Sequence, residues 1–237
     1  NPLYTKLVDK YEAKRYVADI IGKEYVIPTL GVWDRAEDID FDALPNQFVL
    51  KATHDSGRVI ICRDKSTLDR RSAIEQMRQS LERDFYSVTR EWPYKNVPRR
   101  IIAEQLLVDD SGADDIKDYK FFCFDGNVEF LKVDFNRFIQ HRANYFDKDW
   151  RLLEFGEKVC PPDPKAIMQR PDGLADMIGL AEKLSKSMRF VRTDFYYLNN
   201  HIYFGEITFY PNSGFGPFIP AGWDECLGAL IKLNGRD

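Results

Sequence analysis

The stretch Phe190-Val191-Arg192-Thr193-Asp194-Phe195-Tyr196-Tyr197-Leu198-Asn199-Asn200-His201-Ile202-Tyr203-Phe204-Gly205-Glu206-Ile207-Thr208 decides how the chain is read. Two runs rich in β-branched and aromatic residues flank a polar turn, the pattern of a β-hairpin. Strand side chains alternate, so Arg192 and Asp194 share one face, and Glu206 and Thr208 share a face of the partner strand. A three-residue loop at 199–201 pairs Leu198 with Ile202. That register sets Asp194 opposite Glu206 and Arg192 opposite Thr208; a two-residue loop puts the acids out of phase. Directly opposed carboxylates repel. A Mg²⁺ ion held by both would remove the repulsion, because hard cations take carboxylate oxygens. The alternative is two solvent-facing acids on a polar sheet face.

Upstream, Asp118–Phe124 and Asn127–Asp134 flank Asp125-Gly126, a strong two-residue hairpin signal. Asp118 and Lys120 fall on one face as an ion pair. Residues 135–170 are expected to be irregular, with Cys160-Pro161-Pro162 and Pro164 blocking regular structure. Arg137, His141 and Arg142 there make either an anion-binding cluster or a solvated face. A helix is expected from Asp172 or Gly173, with Leu174, Met177, Ile178, Ala181, Leu184 and Met188 on one side. A Pro- and Gly-rich tail containing Asn212 follows, then a short helix near 223–233.

In the N-terminal half, residues 3–21 read as a helix stopped by Gly22. A strand over 48–53 carries Lys51 into the small loop His54-Asp55-Ser56-Gly57, and a second strand covers 58–62. Glycine lets backbone N–H groups approach an anion, and a lysine adds a point charge, although the loop is not a Walker A sequence. A long helix spans about 68–90, and 99–107 reads as a core strand ending in Glu104-Gln105-Leu106-Leu107. The acidic segment 108–116 is the expected boundary between subdomains 1–107 and 108–237 of an α+β fold.

Composition excludes several classes. The 237 residues allow one or two domains; 44% are hydrophobic and 30% charged, which fits a globular chain. The 34 basic and 38 acidic residues are interspersed and give a net charge of −4, which disfavours a nucleic-acid partner bound by bulk charge. No apolar run of about 18 residues predicts a membrane span. Cys62, Cys123, Cys160 and Cys226 form no CxxC pair, the expectation for reduced thiols in the cytoplasm. The chain opens on Asn1 with no signal-like segment, as expected if an N-terminal segment has been removed.

Taken in order, DKYEAKRYV, LPNQFVLKATHDSG, IIAEQLL, DYKFFCFDGN, VRTDFYYL and IYFGEITFYPNSG span Asp9 to Gly214. Their wording resembles the TupA-like ATP-grasp family of teichuronopeptide and surface-polysaccharide biosynthesis. The resemblance implies an ATP-grasp fold, two sheet-and-helix subdomains clamping ATP. It implies an ATP- and Mg²⁺-dependent carboxylate–amine ligase that forms an amide through an acylphosphate. The acceptor would be a uronic acid or peptide of a capsular polysaccharide, joined to an amino acid or amine. A kinase or sugar-transferring enzyme of the same loci, or a non-catalytic nucleotide-binding scaffold with an assembly partner, are the alternatives.

The resemblance also implies roles. Lys10 and Lys51 would contact phosphates, and Ser56 and Gly57 would lie in the loop closing over them. Glu104 to Leu107 would form the adenine hinge, reading the purine through the backbone of Gln105 and Leu107, with Asp109 or Asp110 on the ribose and Asp118 among the cofactor contacts. Lys120 would approach phosphate or the acyl intermediate, and Arg192 would stabilise the oxyanion. Asp194 and Glu206 would bind Mg²⁺. Many relatives carry Glu-x-Asn where this chain has Glu206-Ile207-Thr208, so Thr208, Asn212 or water would replace the amide oxygen. His54, Arg137 and Arg142 are the substrate-binding candidates. The usual separate N-terminal substrate domain is expected to be absent or very short, which would leave acceptor recognition to 135–170 or a partner.

Overall fold

The computed structural model describes residues 1–110, 116–136 and 139–232. The chain divides into two compact units, Asn1–Asp19 with Val26–Leu107, and Ile20–Tyr25 with Val108–Asp237.

The N-terminal elements are helices α1 (Pro2–Val8) and α2 (Glu12–Ile21), strands β1 (Thr29–Trp33), β2 (Phe48–Ala52) and β3 (Val59–Cys62), helices α3 (Arg70–Glu82) and α4 (Phe85–Thr89), and strand β4 (Ile101–Gln105). The strands form an antiparallel sheet in the order β1-β4-β2-β3. Alternation sends Phe48 and Leu50 of β2 and Ile101 and Ala103 of β4 to one face, where Ala73 and Met77 of α3 cover them. Lys51 and Glu104 take the opposite face.

Two expected helices are each broken in two. Asp9 stops the first: its Oδ1 accepts the N–H groups of Tyr11 at 2.9 Å and Glu12 at 3.4 Å, which caps α2. Asp84 breaks the second by accepting the Ser87 N–H at 3.0 Å and starting α4. Gly22 ends α2 at φ +119, as expected.

The second unit holds β5 (Asp118–Phe124), β6 (Asn127–Phe135), β7 (Arg142–Phe146), β8 (Gly156–Glu157), α5 (Leu174–Ser185), β9 (Phe190–Leu198), β10 (His201–Thr208), β11 (Phe218–Ile219) and α6 (Trp223–Gly228). Five strands make an antiparallel sheet in the order β10-β9-β5-β6-β7, and β8 pairs with β11. One face packs on α5, where Cys123 meets Ser185. The other carries Phe122, Phe130 and Tyr145, which cluster with Phe155. Burying a phenylalanine contributes about 2 kcal/mol, so this cluster is a main source of stability. It also explains β7, which lies inside the 135–170 segment expected to be irregular: Tyr145 is fully buried in that cluster. The last helix ends at Gly228, short of the expected 233.

The decisive hairpin differs from expectation in its turn. Its loop has two residues, Asn199 and Asn200, both left-handed at φ 52 and 58, and Leu198 pairs with His201. The register then shifts between Phe204 and Glu206, leaving Gly205 as the extra residue of a bulge. The bulge cancels the shorter loop, so Asp194 still faces Glu206 and Arg192 still faces Thr208.

Candidate active site

In the first unit the sheet face opposite α3 carries a three-residue clamp. Glu104 lies diagonal to Lys51, because Val49 pairs with Glu104 and Lys51 with Ile102. Lys51 pairs with Glu104 Oε2, and Lys14 of α2 reaches Oε1 at 2.5 Å. Lys14 also donates to the Ile27 carbonyl at 2.6 Å and to Thr29 Oγ1 at 3.1 Å. Burial pushes the Glu104 carboxyl up, but the two lysines outweigh it and hold the group below its ordinary range. Burial pushes the Lys14 ammonium down, against the pull of Glu104. Two ammonium groups share one carboxylate, so the face keeps surplus positive charge suited to a phosphate.

Lys14 was not among the residues singled out in the sequence; Lys10 was. Lys10 instead bonds the Asp55 carbonyl and so holds the start of the small loop. His54, expected among the substrate contacts, lies in the same loop. It is buried, and its Nε2 faces the Arg83 carbonyl at 3.2 Å. Arg83 Nη1 in turn donates to the Ser56 carbonyl at 3.2 Å. Ser56 and Gly57 are exposed at the loop tip, with Gly57 at φ +95. At the expected hinge, the Gln105 N–H is spent on the Pro28 carbonyl at 3.1 Å, and Leu106 and Leu107 are half-buried beyond β4. The Asp110 N–H donates to Asn199 Oδ1 at 3.1 Å.

In the second unit a row of side chains crosses all five strands: Glu206, Asp194, Lys120, Lys132 and Tyr145. Lys120 is buried and contacts Asp118 at 2.5 Å, Asp194 at 2.7 Å and Asp134 at 3.6 Å. Burial alone would lower its pKa, but the carboxylates outweigh burial and keep it a cation. Arg192 grips Asp194 with two bonds, Nε to Oδ1 at 2.7 Å and Nη2 to Oδ2 at 2.8 Å. Its Nη2 also reaches Glu206 Oε1 at 2.7 Å and Thr208 Oγ1 at 3.0 Å. Burial opposes the guanidinium charge, yet Asp194 and Glu206 fix it. These bonds use Nε and Nη2.

The opposed acids are thus bridged by Arg192, so their repulsion is offset within the protein itself. They remain a fit for Mg²⁺ in kind. Asp194, Glu206 and Thr208 offer oxygen donors only, and Asp118, Asp194 and Glu206 outnumber Lys120 and Arg192 by one negative charge. The Asn212 side chain bonds Glu157. Glu157 also takes Lys132 at 2.8 Å. Arg142 opens the edge strand β7, half-buried, and Arg137 lies outside the described residues. Lys132, Asp134, Tyr145 and Glu157 were not anticipated; the alternation of Lys132 and Asp134 along β6 was the available signal.

The TupA-like ATP-grasp family model matches residues 1–232. The chain belongs to the TupA-like ATP-grasp family. No curated protein matches this TupA-like chain. Among solved structures, D-alanine–D-alanine ligase from Bacillus anthracis is 15% identical, with a TM-score of 0.50 over 95% of this chain and 65% of its own. The ATP-grasp ligase PsnB, solved with a minimal precursor, Mg and ADP, is 12% identical, with a TM-score of 0.47 over 98% of this chain and 61% of its own. N5-carboxyaminoimidazole ribonucleotide synthetase from Thermus thermophilus is 13% identical, with a TM-score of 0.43 over 85% of this chain and 45% of its own. The family match, with the likeness to D-alanine–D-alanine ligase, gives the chain the α+β ATP-grasp fold; the chain spans less than two thirds of the length of each of these three proteins. Among the described residues, no helix is long and apolar enough to cross a membrane.

Proposed function

We propose that this protein is an ATP- and Mg²⁺-dependent carboxylate–amine ligase, joining an amino acid or amine to a uronic acid or peptide of a surface polysaccharide. The observation that carries the reading is the pair of charged clusters on the sheets of a TupA-like ATP-grasp chain. Lys14 and Lys51, held by Glu104, bind phosphate oxygens. Ser56 and Gly57 form the loop that covers them and excludes water from a reactive acylphosphate. Lys120, kept protonated by Asp118 and Asp194, supplies a fixed positive charge rather than a base or nucleophile. Arg192 positions Asp194 and Glu206 and turns its Nη1 edge to the oxyanion formed when the amine attacks. Mg²⁺, held by Asp194, Glu206 and Thr208, would neutralise charge on the transferring phosphoryl group.

The test is ADP release from ATP and Mg²⁺ across a panel of uronic acids, peptides and amines. Release that requires both a carboxylate and an amine, with amide product by mass spectrometry, supports the ligase. ADP release without an amine, leaving a stable phosphorylated product, replaces it with a kinase. Nucleotide binding with no turnover on any pair turns the reading toward a scaffold.

A further inference from the structure

Beside the Lys120 cluster, three side chains from separate parts of the second unit converge: Asp134 near the end of β6, His141 just before β7, and Cys160 in the proline-rich segment after β8. His141 Nε2 lies 3.3 Å from Asp134 Oδ1, and Cys160 Sγ lies 4.0 Å from the same oxygen. One donor atom from each falls within 4.8 Å of the other two. Ligands at zinc bond lengths in a tetrahedron sit roughly 3.2–3.8 Å apart, so sub-ångström shifts bring these three onto one ion.

We propose that Asp134, His141 and Cys160 form a three-ligand site for a zinc-class divalent metal, separate from the magnesium donors on β9 and β10. The donor chemistry selects the metal. Thiolate and imidazole favour Zn²⁺ and its neighbours in the first transition row, whereas Mg²⁺ and Ca²⁺ prefer all-oxygen sets. Burial fits as well. Asp134 and Cys160 are buried, while the His141 side chain is 45% exposed and leaves a route for entry and a fourth position for water. The two neighbouring lysines do not fill the place of a metal. Lys132 is 3.4 Å from Asp134 but 2.8 Å from Glu157, and Lys120 is 3.6 Å from Asp134 but closer to both Asp118 and Asp194. Asp134 presents Oδ1 to His141 and Cys160, with Lys132 Nζ 3.4 Å from that same oxygen, and Oδ2 to Lys120. An ion on Oδ1 would tie the proline-rich segment to the strand beside Lys120. Binding releases the Cys160 thiol proton to solvent and needs His141 neutral.

The test is titration of the reduced full chain with Co²⁺ in excess Mg²⁺, followed by absorption, then displacement with Zn²⁺. One Co²⁺ should bind per chain, with a thiolate-to-metal band in the near ultraviolet and intense visible bands of tetrahedral cobalt. Cys160→Ser should abolish the ultraviolet band, His141→Ala should weaken binding at least about tenfold, and Cys226→Ser should change neither. Circular dichroism confirms that each variant is folded. No thiolate band in the folded, reduced chain would overturn the proposal. So would a band that survives Cys160→Ser or vanishes with Cys226→Ser.

Discussion

Asp194 and Glu206 face each other across β9 and β10 because Gly205 is an extra residue in the ladder. Without that bulge the two-residue turn would place Glu206 and Thr208 on the opposite face, and Ile207 would enter the charged row. Deleting Gly205 removes only the unpaired residue and leaves Glu206 opposite Asp194, so turnover should stay within about tenfold. Inserting one alanine between Gly205 and Glu206 moves Glu206 out of phase and should lower ATP-dependent turnover at least about a hundredfold. Turnover near wild type in a folded insertion variant would show that the facing pair is not needed.

Glu206 itself is the more exposed acid, with 41% of its side chain open. A half-exposed pair adds little stability, so Glu206→Gln should cost under about 1 kcal/mol in unfolding free energy. Its effect on Mg²⁺-dependent ADP release should be a loss of about 10²–10³-fold. An unchanged Mg²⁺ dependence would remove Glu206 from the metal set.

The hairpin also shows how far the sequence could be read. Strand alternation and the acid spacing led to the facing pair, but through a three-residue loop that does not exist. Asn199-Asn200 suits a tight turn, and Gly205 inside a strand marks a bulge; two local signals cancelled, and only the pairing register shows both. Helix ends were less legible because side-chain caps compete with periodicity. Asp9 stands three residues before Glu12, the spacing of a helix start, yet the apolar pattern runs through it. Lys14 was missed for a different reason. It lies on α2, and nothing in the local pattern reveals that Glu104, far along the chain, waits for it. Cross-strand networks such as Lys132 with Glu157 depend on a strand pairing that residues 135–170 did not announce.

Lys14 and Lys10 should separate cleanly. Lys14→Met removes one of two cations on Glu104 and should raise the Kd of a non-hydrolysable ATP analogue about 10–100-fold by calorimetry. Lys10→Met should leave that Kd within about twofold while speeding amide exchange over 54–57, since Lys10 holds the Asp55 carbonyl. Equal losses of affinity would return the phosphate role to Lys10.

Arg192→Lys tests the fork. A lysine cannot make the paired Nε and Nη2 bonds to Asp194 and still reach Glu206 and Thr208. If Nη1 serves the oxyanion, kcat should fall about 10²–10³-fold with little change in the KM for ATP. A rise in that KM with kcat preserved would leave Arg192 as a holder of the carboxylates alone.

Acid should weaken the fold through Glu104 and Glu157. Burial opposes their ionisation, but Lys14 and Lys51 on one, and Lys132 on the other, keep each below the ordinary value of 4.5. A carboxyl held low in the folded state takes up its proton more readily in the unfolded chain. Its stabilisation is complete above the unfolded value and is lost as pH falls through the folded one. Unfolding free energy should therefore decline as pH drops from about 5 toward 3, by about 1.4 kcal/mol for each unit of depression. Glu104→Gln should be less stable than wild type at pH 7, because two buried lysines lose their carboxylate, and the gap should narrow on acidification. A gap that stays constant across that range would mean that the lysines do not hold the Glu104 carboxyl below its ordinary value.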